Sequence, residues 1–313
     1  MAVHEIPLER RTLHGHFSRD LPPILTIDPG DTIAFSTLDA GWGLESPLES
    51  GENRRRFEPR DEKLDEGHAL IGPVEIRGAR AGQTLVVEID EVRVGSYGFT
   101  LAGGWSTPLN DRLQLSDGEP HLLAWDLDAD GARARDQLGR SVALRPFLGV
   151  LGMPPPEPGV HPTGPPRRWG GNIDCAELVA GTTLYLPIPV DGALFSAGDG
   201  HARQGDGEVS QLAIECPLER VRLTLDVRDD LRLDAPIARV DGAWVTFGLD
   251  GDLDEAAVGA IEGMLELMGR EHGLERRDAL ALASVVVDLR VTQVVNGVIG
   301  VHAVLRDDAF RMP

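Results

Sequence analysis

Short apolar runs separated by glycine turns constrain the fold of this chain more than any other feature. In segment 22–39, two β-branched runs lie on either side of an acidic Pro-Gly turn at 28–31, which predicts a strand, a turn and a second strand. The pattern recurs at 72–92, with a turn at Ala81-Gly82. A glycine turn before each strand is typical of β-sandwiches and jelly rolls. We therefore expect a mainly β protein with sandwich-like, jelly-roll-like and barrel-like sheets.

The pattern changes at Asp252, after which apolar residues follow helical spacing. Asp252 can cap the start of this helix, and Gly273 can end it. A second helix is predicted over 276–286. Two apolar runs, 288–295 and 298–304, then flank Asn296-Gly297, the strongest short-range hairpin signal. The C-terminal part is therefore expected to be a smaller α/β portion.

A two-residue turn in this hairpin fixes the predicted register. Val295 would pair with Val298, Gln293 with Gly300, and Val291 with His302, and these side chains would share one face of the sheet. Gln293 and His302 would then be neighbours, and Gly300 would leave room for a ligand.

Two irregular segments suggest where the chain divides. The polar segment Glu45–Glu66 is predicted to be a surface loop. Segment 153–169 contains seven prolines in seventeen residues and cannot be helical, so it is either a linker or, as we favour, an ordered wrapping loop. The expected organisation is an N-terminal β domain at 1–152, the proline-rich loop and active-site β segment at 153–250, and the α/β portion at 251–313.

The charge balance excludes several functions. The formal net charge is −21, which repels phosphate backbones and anionic membranes, so neither a nucleic-acid partner nor a membrane partner is expected. Lys63 is the only lysine, and the constellations of nitrilase-type and amidase-signature enzymes cannot be assembled around it. There is no Gly-x-Ser-x-Gly elbow for a serine nucleophile. Only two cysteines and no apolar leader indicate a cytoplasmic protein.

The segment Gly198–Glu208 is crowded with glycines and groups that bind metals. It contains three carboxylates and one imidazole, and its four glycines allow sharp turns that bring such groups together. Asp199 and His201 are two residues apart and would point the same way from an extended strand. Asp174 follows a second glycine turn and completes a mixed set. Such a set suits zinc, manganese or iron, whereas carboxylates alone suit calcium or magnesium, and a tight acidic turn without metal is the alternative.

Motifs along nearly the whole chain resemble the acetamidase/formamidase family. They are Gly-Pro-Val-x-Ile-x-Gly-Ala at 72–79, Arg-Pro-Phe-x-Gly at 145–149 with its proline-rich sequel, Gly-Gly-Asn-Ile-Asp at 170–174, the long run at 192–208, and Val-Thr-Gln-Val-Val-Asn at 291–296 followed by Gly-Val-His-Ala at 300–303. The resemblance implies a mainly β, oligomeric enzyme that hydrolyses short aliphatic amides to a carboxylate and ammonia.

The resemblance also implies roles for nine residues around a divalent metal, with zinc favoured and calcium, manganese or iron possible. The expected metal ligands are Asp174, Asp199 and His201; the expected general acid/base residues are Glu208 and Asp206; and the expected substrate-binding residues are Asn172, Gln204, Gln293 and His302. Two alternatives stay open. The chain could be a non-catalytic metal- or ligand-binding β-domain, or Cys175 could be the nucleophile of a hydrolase.

Overall fold

Three β-sheets and a C-terminal pair of helices form the computed structural model, which describes residues 1–47 and 54–311. The nine-stranded sheet has the order β1-β4-β15-β6-β13-β16-β17-β19-β18. The six-stranded sheet has the order β12-β11-β14-β5-β2, with β3 also paired to β5. The four-stranded sheet has the order β10-β9-β8-β7. The prediction of a mainly β protein with a smaller helical part at the C-terminus is confirmed.

The bounds of the strands and helices are as follows. The first ten strands are β1 Val3–Glu5, β2 Leu13–His14, β3 Leu25–Ile27, β4 Asp31–Phe35, β5 Leu70–Ile76, β6 Thr84–Val94, β7 Tyr97–Ala102, β8 His121–Asp128, β9 Arg133–Asp136 and β10 Ser141–Ala143. The others are β11 Phe147–Gly152, β12 Gly170–Asn172, β13 Thr182–Pro187, β14 Phe195–His201, β15 Leu218–Arg228, β16 Ile237–Val240, β17 Ala243–Asp250, β18 Val287–Gln293 and β19 Ile299–Arg306. The helices are α1 Pro108–Leu113, α2 Leu253–His272 and α3 Arg276–Val286.

The main core lies between the nine-stranded and the six-stranded sheets. Strands β6 and β15 contribute Leu85, Val87 and Leu223 from the first sheet, while β11 and β14 contribute Leu148 and Phe195 from the second. These side chains are almost completely buried. Each contributes roughly 1.5–3 kcal/mol to stability through removal of apolar surface from water. Because β11 and β14 carry core residues, the backbone that supports the site described below is held rigidly.

Helix α2 begins and ends where the sequence predicts. The Asp252 side chain accepts hydrogen bonds from the backbone N–H groups of Asp254 and Glu255, and Gly273 ends the helix with a φ of 68°. Met264 and Met268 bury its apolar face in a second core with Val301 on β19. Helix α3 also has its predicted bounds. Across the described residues, no helix combines the length and apolar character needed to cross a bilayer.

The C-terminal hairpin forms, but its turn is longer than predicted. Gln293 pairs with Gly300 as expected, whereas Val291 pairs with Val301 and His302 pairs with Arg290. A bulge between Val291 and Gln293 shifts the register, and such a bulge inserts an extra residue in one strand. The predicted two-residue turn, with Val295 opposite Val298, and the shared face of Val291 and His302 are therefore wrong.

The two segments predicted to be irregular contain no regular strand or helix in their described parts. Of the polar segment Glu45–Glu66, residues 48–53 lie outside the described residues. The proline-rich segment is tied to the rest of the molecule by paired backbone hydrogen bonds between Phe17 and His161, each 2.9 Å long. It leads directly into β12, so it is an ordered wrapping loop as we favoured.

Candidate metal centre and active site

Strand β14 presents Asp199 and His201 on one face. Oδ1 of Asp199 lies 3.2 Å from Nε2 of His201, so the side chains meet as their spacing predicts. Gly198 and Gly200 lie on the opposite face of the strand. A Cβ atom on either glycine would lie 2.5 Å from a neighbouring carbonyl oxygen, that of Ala69 or Cys216. The alternation of glycine and ligand-type residues therefore lets the strand pack against backbone on one side and form a site on the other.

Strands β11 and β12 bring Asp174 to the same place. Leu148 and Val150 of β11 pair with Gly200 and Gly198, so Gly149 lies opposite Asp199. Asp174 follows β12, and its Oδ1 lies 4.0 Å from Nδ1 of His201. The ligand atoms of Asp174, Asp199 and His201 all lie within 4.8 Å of one another.

Two glutamates complete the cluster. A second group of three, His201, Glu208 and Glu215, also has ligand atoms within 4.8 Å of one another. Glu215 pairs with His201 in an isolated β-bridge, and its Oε1 lies 3.3 Å from Nε2 of His201. Glu208 reaches the cluster from the loop after β14. The site thus holds four carboxylates around one imidazole, and all five side chains are buried.

The negative charge of this cluster has no compensating basic residue among the described ion pairs. Asp174, Asp199 and Glu215 form ion pairs only with His201, and Glu208 has no ion pair among the described residues. Several buried atoms have no hydrogen-bond partner, namely Oδ1 of Asp174, Oδ1 of Asp199, Oε2 of Glu208 and Nδ1 of His201. Buried charges are stable only when they are paired or coordinate a metal. The residues therefore fit a divalent cation, and the mixture of one imidazole nitrogen with carboxylate oxygens suits zinc, manganese or iron.

The pKa shifts show how strongly these groups interact. Burial, together with the charges of Asp199 and Glu215, raises the pKa of Asp174 to about 7 against the opposing effect of His201. Burial also raises the pKa of Asp199, but attraction to His201 outweighs this effect and brings its pKa to about 2. Burial lowers the pKa of His201, whereas Asp199 and Glu215 bring it well above its ordinary value. Burial and the charge of Asp174 raise the pKa of Glu208 well above its usual range.

Three of the four carboxylate residues have a strained backbone conformation. Asp174, Asp199 and Glu208 have φ angles of 52°, 62° and 45°, in the left-handed region that favours glycine. Each such residue costs of order 1–3 kcal/mol and persists only where the surrounding structure imposes it. Backbone strain concentrated on these residues supports a functional role for the cluster.

A pocket of about 240 Å³ opens onto the cluster. Asn172 lines it beside Asp199 and His201, and its buried Oδ1 has no hydrogen-bond partner. Phe99 and Arg54 form part of the wall. The Arg54 guanidinium is paired with Asp39 at 2.6 Å and stacks 4.6 Å above the Phe99 ring, so it is held away from the acidic cluster.

The C-terminal hairpin reaches the site through Asn296, not through the two residues predicted for it. Nδ2 of Asn296 donates a 2.5 Å hydrogen bond to Oδ2 of Asp174. Gln293 instead holds the turn: its Oε1 accepts from the N–H groups of Val295 and Asn296, and its Nε2 donates to the carbonyl of Val298. Gln293 therefore stabilises the hairpin turn and does not line the pocket, and its substrate contact stays a prediction.

His302 is fully buried and does not line the pocket. Its Nδ1 lies 2.8 Å from Oγ1 of Thr292, and its ring packs against Phe247. Burial lowers its pKa. The bulge at Thr292 places this side chain between the hairpin and β17, and its substrate contact stays a prediction.

The remaining candidates, Gln204, Asp206 and Cys175, do not line the pocket. Nε2 of Gln204 donates to the backbone carbonyl of Asp174 at 2.7 Å, so Gln204 holds the loop that carries Asp174 and does not line the pocket. Asp206 is exposed and lines a neighbouring cleft instead of the pocket, and its catalytic role stays a prediction. Cys175 is buried in the main core, where burial raises its pKa to about 12. A thiol with that pKa stays protonated, so Cys175 is a poor nucleophile.

Glu215 and Asn296 belong to the site but were not predicted from the sequence. Glu215 carries one usable signal, because it is a lone acid in the apolar run Ala213–Cys216 and such a position buries a carboxylate. Asn296 was interpreted only as a turn residue. Its hydrogen bond spans 122 positions of sequence, and no local pattern indicates a contact of that kind.

Alanine at position 149 is expected to abolish metal binding without unfolding the protein. A Cβ atom there would lie 2.3 Å from Oδ2 of Asp199 and 2.5 Å from Oδ1 of Asp174, which forces the two carboxylates apart. We expect Gly149→Ala to lower metal affinity by at least about 100-fold. Gly205→Ala is the matched control, because nothing lies within 4 Å of its Cβ position. Calorimetric titration with the metal measures the metal affinity of both variants. Equal affinities would contradict this prediction.

Removal of the Asn296 amide is expected to have a smaller effect. Partners that orient metal ligands typically contribute 10- to 100-fold in metal affinity or activity. We expect Asn296→Ala to weaken metal binding by about that factor, because Asp174 loses the donor that orients its carboxylate. Competition with a chromophoric chelator measures this affinity. Unchanged affinity would show that the hydrogen bond does not orient Asp174.

The sequence of this chain matches a family model and several curated proteins. The model of the "Acetamidase/Formamidase family" matches residues 3–161 and 157–305. The chain is 26% identical over 248 residues to the formamidase of Methylophilus methylotrophus and 24% identical over 253 residues to the acetamidase of Mycolicibacterium smegmatis. Each alignment covers 63% of this chain, and the two alignments cover 60% and 61% of those proteins. The chain thus spans about three-fifths of the length of the curated relatives it matches.

The superposition with a solved structure covers a larger share of both chains. The acetamidase of Bacillus halodurans superposes with a TM-score of 0.84 at 28% identity, covering 96% of this chain and 97% of that one. Because the family model covers far more than half of the sequence, the chain belongs to the acetamidase/formamidase family.

Proposed function

We propose that this chain hydrolyses the C–N bond of short aliphatic amides to a carboxylate and ammonia. The observation that carries the proposal is the convergence of Asp174, Asp199, His201 and Glu208 in one buried cluster beside a pocket. The names of the relatives, a formamidase and two acetamidases, support the same chemistry. The small volume of the pocket is consistent with a small substrate.

The proposed cofactor is a divalent metal held by Asp174, Asp199 and His201, with Glu215 completing the set. Zinc is the favoured metal, and calcium, manganese and iron are the alternatives. When bound, such a metal polarises a carbonyl oxygen and lowers the pKa of a water molecule. The unpaired oxygen and nitrogen atoms of these residues support this assignment.

The other residues of the pocket supply proton transfer and orientation. Glu208, through its unpaired Oε2, accepts the proton of the attacking water and returns it to the departing nitrogen. Such general acid/base catalysis contributes about 10²–10⁴ in rate. Oδ1 of Asn172 accepts a hydrogen bond from the substrate N–H, and Phe99 contacts the aliphatic part of the substrate. The products are the carboxylic acid, which ionises, and ammonia.

Assembly and location are also proposals. We propose a homo-oligomer that buries the apolar side chains exposed on α3 and on the edge strand β18, namely Leu280, Val285 and Leu289. Unpartnered apolar patches of this kind are typical of protein interfaces. A cytoplasmic location is supported by the two free cysteines, Cys175 and Cys216, which suit a reducing compartment.

The direct test is ammonia release from formamide, acetamide and propionamide by metal-replete protein. We expect turnover that a chelator abolishes and that thiol alkylation leaves intact, because Cys175 is buried. Metal content is measured on the same sample. Bound metal without turnover of any of these amides would overturn the proposed activity and favour a metal-binding β-domain, whereas loss of activity on alkylation alone would favour the cysteine.

A further inference from the structure

A large cleft lies beside the active-site pocket and is lined by basic residues. Its volume is about 720 Å³, three times that of the pocket over the metal cluster. Arg56, Arg60 and Lys63 line it, and among the lining residues that the structure describes Glu66 is the one carboxylate. We call this region the basic cleft. In a chain with a net charge of −21, three cations around one cleft form a local positive field.

The cations of the basic cleft are available to a ligand. Within residues 1–47 and 54–311, Arg56 and Lys63 form no ion pair, and both are exposed. Arg60 lies 3.5 Å from Glu58, beyond good hydrogen-bond distance, and stacks 5.9 Å from the Trp42 ring. Its Nε is buried without a hydrogen-bond partner. An anion in the cleft would therefore meet cations that no described carboxylate fully neutralises.

The basic cleft and the active-site pocket share a wall. Ala40, Gly41 and His68 line both. His68 is fixed there, because its Nδ1 lies 2.7 Å from Oγ1 of Thr163. The basic cleft and the active-site pocket are therefore direct neighbours, with His68 at their common boundary.

We propose that the preferred substrates are amides whose far end carries a carboxylate, and that the basic cleft binds this carboxylate while the amide reaches the metal cluster. This inference rests on the proposed amide hydrolysis and extends it to a substrate class. Formamide and acetamide fill only the inner pocket and leave the basic cleft unused. An anionic far end adds attraction to Arg56, Arg60 and Lys63, and opposite charges a few ångströms apart near a protein surface interact appreciably.

The test compares pairs of amides that differ only in charge at the far end. Malonamate is paired with propionamide, succinamate with butyramide, and glutaramate with pentanamide, so that a carboxylate replaces a methyl group at three lengths. We expect kcat/KM for the best carboxylate to exceed that of its neutral partner by at least tenfold. The advantage should shrink at 0.5 M salt, because added salt screens exposed charges.

Variants assign this preference to the basic cleft. In the double variant Arg56→Gln/Lys63→Gln, we expect KM for the carboxylate substrate to rise about tenfold, with kcat and all values for acetamide unchanged. Both side chains are exposed, so the fold is preserved. Arg276→Gln is the control, since Arg276 lies on helix α3 and pairs with Glu262 outside the cleft.

The outcomes separate this inference from the proposed activity. Turnover of neutral amides with no carboxylate preference, or a preference that the double variant keeps, overturns the inference and leaves the activity intact. If no amide is hydrolysed, the proposed activity fails, and calorimetric titration with glutarate then decides the inference. Binding that the double variant loses supports it, and equal or absent binding in both proteins overturns it.

Discussion

Replacing Glu208 by glutamine is expected to lower kcat for acetamide by about 10²–10⁴-fold while the metal stays bound. The change keeps the size of the side chain but removes its ability to take and return a proton, which is the contribution typical of a general acid/base residue. Oε2 of Glu208 is buried, unpaired and within reach of the cluster. Steady-state kinetics and metal analysis on one sample measure both quantities.

Asp206→Asn is the matched control for this variant. Asp206 lies two positions earlier in the same loop, but its side chain is exposed and does not line the pocket. We expect this variant to keep wild-type kcat and metal content. If Asp206→Asn loses activity and Glu208→Gln retains it, the assignment of the two carboxylates is reversed.

Asp199→Asn is expected to remove both metal and activity. Oδ1 of Asp199 lies 3.2 Å from Nε2 of His201 and has no hydrogen-bond partner, as expected of a metal ligand. Even partners outside the ligand set contribute 10- to 100-fold, so we expect metal affinity and kcat/KM to fall by more than about 100-fold. Metal analysis after dialysis and ammonia release measure these losses.

Thermal unfolding separates this effect from misfolding. The change keeps the size of the side chain but removes the charge that pairs with His201, so we expect the metal-free variant to unfold at a lower temperature than the metal-free parent, still in one cooperative transition. Asp241→Asn, at an exposed position, is the control for both measurements. Full metal occupancy in Asp199→Asn would remove this residue from the ligand set.

Local patterns predicted the secondary structure well where the residues that form each signal lie within a few positions of one another. The cap at Asp252 and the stop at Gly273 fixed helix α2, because both act through hydrogen bonds within a few residues. The same holds for Asp199 and His201, whose common face follows from the two-residue period of a strand. Asp174 joined this predicted set because it follows a second glycine turn, but the pairing between β11, β12 and β14 that brings it close has no local signal.

Long-range packing explains what the sequence did not predict. The bulge at Thr292 changed the partner of His302 and turned Gln293 into a support for the turn, although Asn296-Gly297 is a strong hairpin signal. The loop at Gly207 bonds to this hairpin through the carbonyl of Thr292, at 3.0 Å. This docking places Asn296 against Asp174, and only the folded chain reveals it.

A diffraction experiment at the zinc absorption edge tests the metal assignment most directly. Crystals of protein loaded with one equivalent of zinc should give an anomalous difference peak within about 2.0–2.2 Å of carboxylate oxygens of Asp174 and Asp199 and a ring nitrogen of His201. The same protein should release ammonia from acetamide. A zinc peak elsewhere, with these three residues still unliganded in active protein, would contradict the account.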